Sequence, residues 1–203
     1  MRTQVTEQGI FIPKQMLEGV KEVEIRKEKS VIVIVPISEE DPILQFGKEP
    51  VEDVVTDASV NHDKYLYWWI YALLIQVIGW SLELKNDQSH ASAQAHWKIF
   101  VQSSFALVTT SYVFDETVTY FNSRGFHEKS VKIGEMILQS PSIELVHIDE
   151  NLFYEGWEFF QQHQDKDYSL TDCISFLVMT QKSLDTVLTF DKHFSQAGFI
   201  IEP

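Results

Sequence analysis

Short apolar runs alternate with longer segments of helical spacing from residue 73 to residue 203. The apolar runs predict strands at Leu73–Ile78, Phe105–Thr109, Glu144–His147 and Thr186–Phe190. The segments between them predict helices at Asp87–Ser103, Ser111–Arg124, Lys129–Ser140, Glu150–His163 and Ser169–Gln181. Such alternation is typical of an α/β fold, in which helices cover both faces of a parallel sheet.

The first 37 residues follow a different pattern. Residues 3–13 read as two short strands around a Glu-Gln-Gly turn, and Lys14–Gly19 reads as one helical turn. Residues 20–26 alternate apolar and charged side chains, and VIVIVPI follows after a charged turn at Lys27–Ser30. This pattern predicts a small β-rich unit. A unit of this size buries little area, so we expect it to dimerise or to dock on another surface.

An acidic connector joins the two patterns. Residues 38–67 contain two prolines, many acids and little periodicity. That composition is typical of a linker, or of an arm that becomes ordered on a partner. We therefore expect three parts: a module at 1–37, a connector at 38–67 and an α/β domain at 68–203.

The net charge of −14 argues against a general phosphate-binding surface. Any contact with nucleic acid would have to be local or bridged by a metal ion. The basic side chains of the N-terminal module could form a DNA-binding face, but glutamates are interleaved with them. Strong operator binding is therefore the less favoured expectation. These basic residues are Arg2, Lys14, Lys21, Arg26, Lys27 and Lys29.

The expected compartment is the cytoplasm. Cys173 is the single cysteine, so no intrachain disulfide can form, which fits a reducing environment. The N-terminal residues lack the pattern of a signal peptide. The apolar run Leu66–Trp80 is shorter than the roughly 20 residues that a membrane helix needs, and we interpret it as a buried strand with an aromatic lead-in.

Three acids in the second half lie in or next to apolar segments: Glu116, Asp172 and Asp191. A carboxylate against a core is costly unless it is paired, protonated or bound to a metal. All three are predicted near the carboxyl ends of strands, where ligands of parallel sheets bind. Gathered carboxylates suit Mg²⁺ or Mn²⁺, and such an ion can orient water and stabilise charge on a phosphodiester.

Each acid also has a simpler interpretation. Glu116 could be an acid favoured by a helix dipole, Asp172 a helix cap and Asp191 a turn residue. Asp167 could be a further acid around the metal, although a solvated loop residue is the simpler expectation. Asp115 is expected to be solvated.

Other reactive or aromatic side chains have simpler expected roles. The seven histidines show no zinc-binding spacing, and His193 is expected on a surface loop. Cys173 is expected to be a buried thiol. Trp157, Phe159 and Phe160 are expected in the core.

Residues 73–203 resemble the PIN domain, and specifically the VapC-type ribonuclease toxins. TTSYVFDET, YSLTDCISF and TFDKHFSQAGF carry the resemblance and place three of the family's acidic positions at Glu116, Asp172 and Asp191. It implies a PIN-like α/β fold and Mg²⁺- or Mn²⁺-dependent cleavage of RNA. In LLIQVIGW, Gln76 stands where the family has its first aspartate, which predicts weaker metal binding and activity.

Residues 3–36 resemble the AbrB/MazE-type module of antitoxins, and DPILQFGKEPVEDVVTDASVNHDKYLY resembles an antitoxin tail. The resemblance implies an antitoxin and a toxin in one polypeptide, with an antitoxin partner in cis or in trans and a homo-oligomer. Two hypotheses follow: a ribonuclease inhibited by its own N-terminal half, or a PIN-like binding protein that Gln76 has made inactive. Tight operator binding by residues 1–66 alone would indicate a DNA-binding regulator instead.

Overall fold

The computed structural model describes residues 9–17, 20–28, 31–37, 41–54, 76–102 and 106–202. The chain divides into two compact units, Met1–Glu40 and Asp41–Pro203. The second unit contains every acid that the sequence singled out as a candidate ligand.

The N-terminal unit contains the helical turn and the hairpin that the sequence predicts. A 3-10 turn spans Lys14–Leu17, and the strands β1 (Glu22–Glu28) and β2 (Val31–Ile37) pair in antiparallel register. Glu22 lies opposite Ile37, and Glu28 lies opposite Val31. Of the two short strands predicted in residues 3–13, the first lies outside the described residues, and the second was wrong because residues 10–13 form no strand.

The C-terminal unit alternates helices and strands as predicted. Its strands are β3 (Leu107–Thr110), β4 (Ile143–Val146), β5 (Thr186–Leu188) and β6 (Ile200–Glu202). Its helices are α1 (Gln76–Glu83), α2 (His90–Phe100), α3 (Ser111–Ser123), α4 (His127–Gln139), α5 (Glu150–Gln162), α6 (Leu170–Gln181) and α7 (Lys192–Gln196). Of these elements, α1, α7 and β6 were not predicted. None of the described helices has both the length and the apolar character needed to span a membrane.

The strands form two parallel pairs rather than the one sheet that the alternation predicts. β3 pairs with β4 and β5 pairs with β6, and within the described ranges no ladder joins the two pairs. β3 ends where α3 begins, and Asp191 follows β5 after a short connection. The carboxyl ends of both pairs therefore lead into the segments that carry the candidate acids.

The strand predicted at Leu73–Ile78 was wrong for its described part. Residues 76–78 form the first turn of α1, and residues 73–75 lie outside the described ranges. From Trp80 to Leu84 every side chain is buried, polar ones included. A helix buried on all sides lacks the one-sided apolar pattern that marks a surface helix, so a short apolar run of this kind reads equally well as a buried strand.

Part of the expected connector belongs to the C-terminal unit. We call residues Asp41–Val54 the strap, because they lie along that unit as an extended segment with one 3-10 turn at Pro42–Gln45. Ile43 and Phe46 are buried, and Val51 forms a parallel bridge with Leu84. A free linker is therefore excluded for residues 41–54, because buried apolar side chains dock the segment on the C-terminal unit, and the alternative of an arm that becomes ordered on a surface stays a prediction. Residues 55–67 lie outside the described ranges.

Polar contacts fix the middle and the C-terminal end of the strap. The backbone N–H of Gly47 donates to Glu83 Oε1 (3.0 Å), and Lys129 Nζ, which lies 2.5 Å from Glu83 Oε2, donates to the backbone carbonyl of Glu49 (2.8 Å). At the C-terminal end, the Asp53 carboxylate accepts from the Tyr120 hydroxyl (3.3 Å) and lies 3.4 Å from Arg124. These contacts attach the strap to α1, α3 and α4.

Candidate active site

Asp172 lies at the start of α6 and has two roles in the local structure. Ser169 caps the helix: the Asp172 backbone N–H donates to Ser169 Oγ, and the Ser169 N–H donates back to Asp172 Oδ2, both at 3.1 Å. The Asp172 side chain has no exposed surface, and burial raises its pKa to about 7. Within the described part of the chain, its other oxygen, Oδ1, accepts no hydrogen bond.

Asp191 lies just beyond β5 and caps the short helix α7. Its backbone N–H donates to Thr189 Oγ1 (3.0 Å), and its Oδ1 accepts from the backbone N–H of His193 (2.9 Å). The residue is 6% exposed. The carboxylate is therefore held in one orientation at the carboxyl end of its strand.

His193 lies between the two carboxylates. Its Nδ1 is 3.4 Å from Asp172 Oδ2 and 3.3 Å from Asp191 Oδ1. Hydrogen bonding to the two carboxylates raises its pKa to about 10. The expectation of a surface loop histidine was wrong, because the side chain is only 15% exposed. The sequence does indicate that His193 lies near Asp191, because a residue two positions after a capping Asp lies next to that carboxylate.

These three side chains form one compact cluster. Asp172, Asp191 and His193 each offer a ligand atom, and the three atoms lie within 4.8 Å of one another. The structure thus brings together two of the three predicted acids and adds a histidine. Cys173, the next residue on α6, is fully buried as expected, and burial raises its pKa to about 12.

Glu116 lies beside the cluster rather than in it. It is buried on α3 and accepts a hydrogen bond from Thr171 Oγ1 (3.4 Å), the residue before Asp172. Among the described residues, the candidate metal group does not include Glu116. Asp167 is exposed in the loop before α6, and Asp115 is exposed on α3. Gln76 is the first residue of α1, and its side chain lies outside the described part of the structure.

An open cleft of about 930 Å³ borders the cluster on the Glu116 side. The expectation of a core position was wrong for Trp157 and Phe160, which are 42% and 37% exposed and stack on each other in the cleft wall. Phe159, in contrast, packs edge-on against Phe176. The cleft is lined by Tyr112, Asp115, Glu116, Phe153, Tyr154, Trp157, Phe160, Asp167, Tyr168, Ser169, Leu170 and Thr171.

The donor set fits a divalent cation. Among the described residues, Asp172 Oδ1 is a buried carboxylate oxygen without a hydrogen bond, and His193 contacts only the other oxygen, Oδ2, so Oδ1 could bind a cation. Asp191 and His193 place a second oxygen and a nitrogen within reach of the same point. Carboxylates and imidazole are both common ligands of divalent metals.

The C-terminal unit is similar in sequence and in fold to known proteins. The PIN domain family model matches residues 82–200. The 23S rRNA-specific endonuclease VapC20 of Mycobacterium tuberculosis, strains CDC 1551 / Oshkosh and H37Rv, is 31% identical over 115 residues, which is 57% of this chain and 85% of the relative. The crystal structure of M. tuberculosis VapC20, titled a sarcin-ricin loop cleaving toxin, matches with a TM-score of 0.53 and 29% identity, over 59% of this chain and 89% of that one. The chain belongs to the PIN domain family.

Proposed function

We propose that this chain is a metal-dependent endoribonuclease of the VapC type. The observation that carries the proposal is the convergence of the buried Asp172 and Asp191 at one point beside an open cleft. Two buried carboxylates near each other are costly in a protein that does not use them. The similarity to an rRNA endonuclease over 85% of that relative's length supports the same reaction class.

The residues of the site have distinct tasks in this proposal. Asp172 Oδ1 and the Asp191 carboxylate would hold Mg²⁺ or Mn²⁺. Glu116, which accepts a hydrogen bond from Thr171, would add a third carboxylate next to the ion. When bound, the ion stabilises negative charge on the scissile phosphodiester and helps to orient the attacking water. The exposed aromatic rings of the cleft offer surfaces on which the bases of an unpaired RNA can stack. The ion also offsets the repulsion between RNA and an acidic protein.

We further propose that residues 1–66 act as an antitoxin-like segment of the same polypeptide. The hairpin of β1 and β2 and the resemblance of this region to AbrB/MazE modules support the assignment. An antitoxin could then act in cis or in trans, and the module could mediate homo-oligomers and weak operator binding. A reducing cytoplasm is the expected compartment, because the chain has a single buried cysteine.

Cleavage of RNA by the full chain tests the proposal. The wild type is incubated with ribosomal RNA and with a stem-loop RNA in Mg²⁺ or Mn²⁺, and Asp172→Asn and Asp191→Asn are compared with it. Each substitution keeps the shape of the side chain and removes its charge, so we expect a loss of cleavage by a factor on the order of 100 or more. Asp165→Asn is the matched control, because Asp165 is exposed. Equal cleavage by all four proteins, or cleavage unaffected by a chelator, would contradict the proposal.

An inactive PIN-like binding protein is the second candidate. One observation favours it: the described residues bring only two carboxylates into the cluster, and a helix begins at Gln76, where the resemblance places a first aspartate. Gln76→Asp separates the candidates. A large gain in cleavage from an inactive wild type would support a lost active site, whereas a vigorous wild type that the substitution leaves unchanged would support an intact enzyme.

A further inference from the structure

We propose that His193 is a metal ligand in this chain, so that Asp172, Asp191 and His193 form a mixed nitrogen and oxygen site that prefers Mn²⁺ to Mg²⁺. The proposal rests on the metal dependence stated above and deepens it, because it names the ligand set and the preferred class of ion.

The spacing of the three donors suits a single ion. His193 Nδ1 lies 3.3 Å from Asp191 Oδ1 and 3.4 Å from Asp172 Oδ2, the oxygen bonded to Oδ1 through the carboxyl carbon, and a ligand atom from each of the three residues lies within 4.8 Å of the other two. Two ligands bound at about 2.1 Å and at right angles lie roughly 3 Å apart. The three donors therefore need to move little to bind a shared cation.

The burial of Asp172 is a second and independent indication of a ligand. Its side chain has no exposed surface, and Oδ2 is already engaged by the Ser169 backbone N–H. Oδ1 accepts no hydrogen bond from any residue that the structure describes. A helix cap alone requires one oxygen, so capping does not explain why the second oxygen stays buried and without a hydrogen bond.

The local structure holds the His193 ring towards the carboxylates. The His193 backbone N–H is bound to Asp191 Oδ1, which fixes the first turn of α7. The ring meets Tyr168 edge-on, with 5.6 Å between the ring centroids. A ligand whose orientation is set before binding loses little conformational entropy when the metal binds.

The nitrogen donor determines the preferred ion. Mg²⁺ binds oxygen ligands in a strict octahedron and usually keeps several waters. Imidazole binds transition ions better, so Mn²⁺ tolerates a mixed nitrogen and oxygen site more readily than Mg²⁺ does. A site made only of the acids would lack this source of preference.

Spin-echo spectroscopy of Mn²⁺ bound to the full wild-type chain tests the proposal directly. A directly bound imidazole nitrogen gives a characteristic modulation of the echo, and we expect to see it. The modulation should be absent in His193→Ala and present in His127→Ala, the matched control at an exposed histidine on α4. Bound Mn²⁺ without nitrogen modulation in the wild type would overturn the proposal, and that result does not depend on whether any variant folds.

Calorimetric titration with Mn²⁺ and with Mg²⁺ provides the second measurement. His193→Ala should weaken Mn²⁺ binding by a factor on the order of 10 or more and Mg²⁺ binding much less. His193→Asp should shift the preference towards Mg²⁺. If His193→Ala binds both ions as the wild type does and RNA is still cleaved, the ligand assignment fails and the nuclease proposal stands. If Mn²⁺ binds through His193 but RNA is not cleaved, the nuclease proposal fails instead.

Discussion

At the scale of single residues, Asp172 shows how one carboxylate serves both the fold and the site. Asp172 Oδ2 accepts the capping hydrogen bond and also lies 3.4 Å from His193 Nδ1, whereas Oδ1 accepts no hydrogen bond from the described residues and is the oxygen left for a ligand. The sequence allowed Asp172 to be either a helix cap or a metal ligand. The two roles are compatible because a carboxylate has two oxygens. A substitution that keeps one acceptor, such as Asp172→Asn, can therefore remove the charge and leave the helix cap in place.

The charge on His193 should make the stability of the metal-free protein depend on pH. The pKa of His193 is raised from 6.5 to about 10 in the folded state, so its stabilising contribution is full below 6.5 and is lost as the pH rises through about 10. We expect the wild type to exceed His193→Gln in free energy of unfolding near neutral pH, with the difference shrinking as the pH approaches 10. Urea denaturation with a chelator present measures this difference, and a constant difference across the range would contradict it.

Sequence reasoning found the residues of the site that local pattern can reveal. Asp172 and Asp191 stand out because each borders an apolar run and occupies a capping position. The contact of His193 with Asp191 is local, but its contact with Asp172 depends on the approach of α7 to α6, which no local pattern encodes. The position of Glu116 beside Thr171 likewise depends on tertiary packing.

At the scale of secondary structure elements, the strap is the feature that distinguishes this unit. Its two apolar anchors are buried: the turn that carries Ile43 packs on α4, and Phe46 lies 6.4 Å from Trp97 of α2 between ring centroids. Its acidic end contacts Tyr120, which also stacks on Trp80 at 4.2 Å. Glu116 lies one turn before Tyr120 on α3. The strap therefore helps to fix the helix that carries a candidate site residue.

Loss of the Phe46 anchor should destabilise the C-terminal unit. Phe46 is 3% exposed, so Phe46→Ala removes a buried ring and leaves a cavity, at a cost of about 3–5 kcal/mol. The control is Lys48→Ala, at an exposed position of the same strap. Thermal and urea unfolding of both variants provide the measurement. Equal unfolding midpoints in the two variants would mean that the strap does not contribute to the core.

The buried pair of Glu83 and Lys129 should be sensitive to the loss of one partner. Burial raises the pKa of Glu83 even though Lys129 lies beside it. Lys129→Met would leave the carboxylate buried without its cation, at a cost of about 3–5 kcal/mol at neutral pH. Because a raised carboxyl pKa favours the folded state at low pH, the variant should recover stability as the pH falls towards 4.5. Unfolding at several pH values measures the recovery, and Glu83→Gln in the same background should remove it.

The sequence predicts elements well where the apolar pattern is one-sided or where a cap marks the start of a helix. α3 to α5 lie within a few residues of their predicted bounds because each has a buried and an exposed face, whereas α6 is buried along most of its length and is marked by its capping residue Ser169. α1 was read as a strand because its last turn is buried on all sides. The composition of the strap suggests a linker because acids and prolines surround Ile43 and Phe46, and no periodic pattern marks these two side chains as buried.

At the scale of the whole molecule, the boundary between the two compact units lies at Glu40 and Asp41 rather than at residue 67. A boundary read from composition placed the strap with the connector, whereas its contacts place it with the C-terminal unit. The strap adds apolar burial and ion pairs to that unit. The unit that carries the PIN domain therefore begins before the residues that resemble the family.

Two fragments test this boundary. A chain of residues 41–203 should unfold cooperatively, because it keeps every contact between the strap and the helices. A chain of residues 68–203 should unfold at a lower midpoint with less cooperativity, because it exposes the surface that Ile43 and Phe46 cover. Urea denaturation followed by circular dichroism compares them. The same midpoint and slope for both would show that the strap is dispensable.

The contacts of the strap also imply that it could dock on the C-terminal unit without the peptide segment that connects it to α1. Its anchors, its bridge to Leu84 and its contacts with Glu83 and Arg124 are all noncovalent. The chain could then be divided between residues 54 and 76 and expressed as two polypeptides, which we expect to reassemble when mixed. The strap would thus make this protein a natural system for fragment complementation, in which nuclease activity reports the union of its two parts.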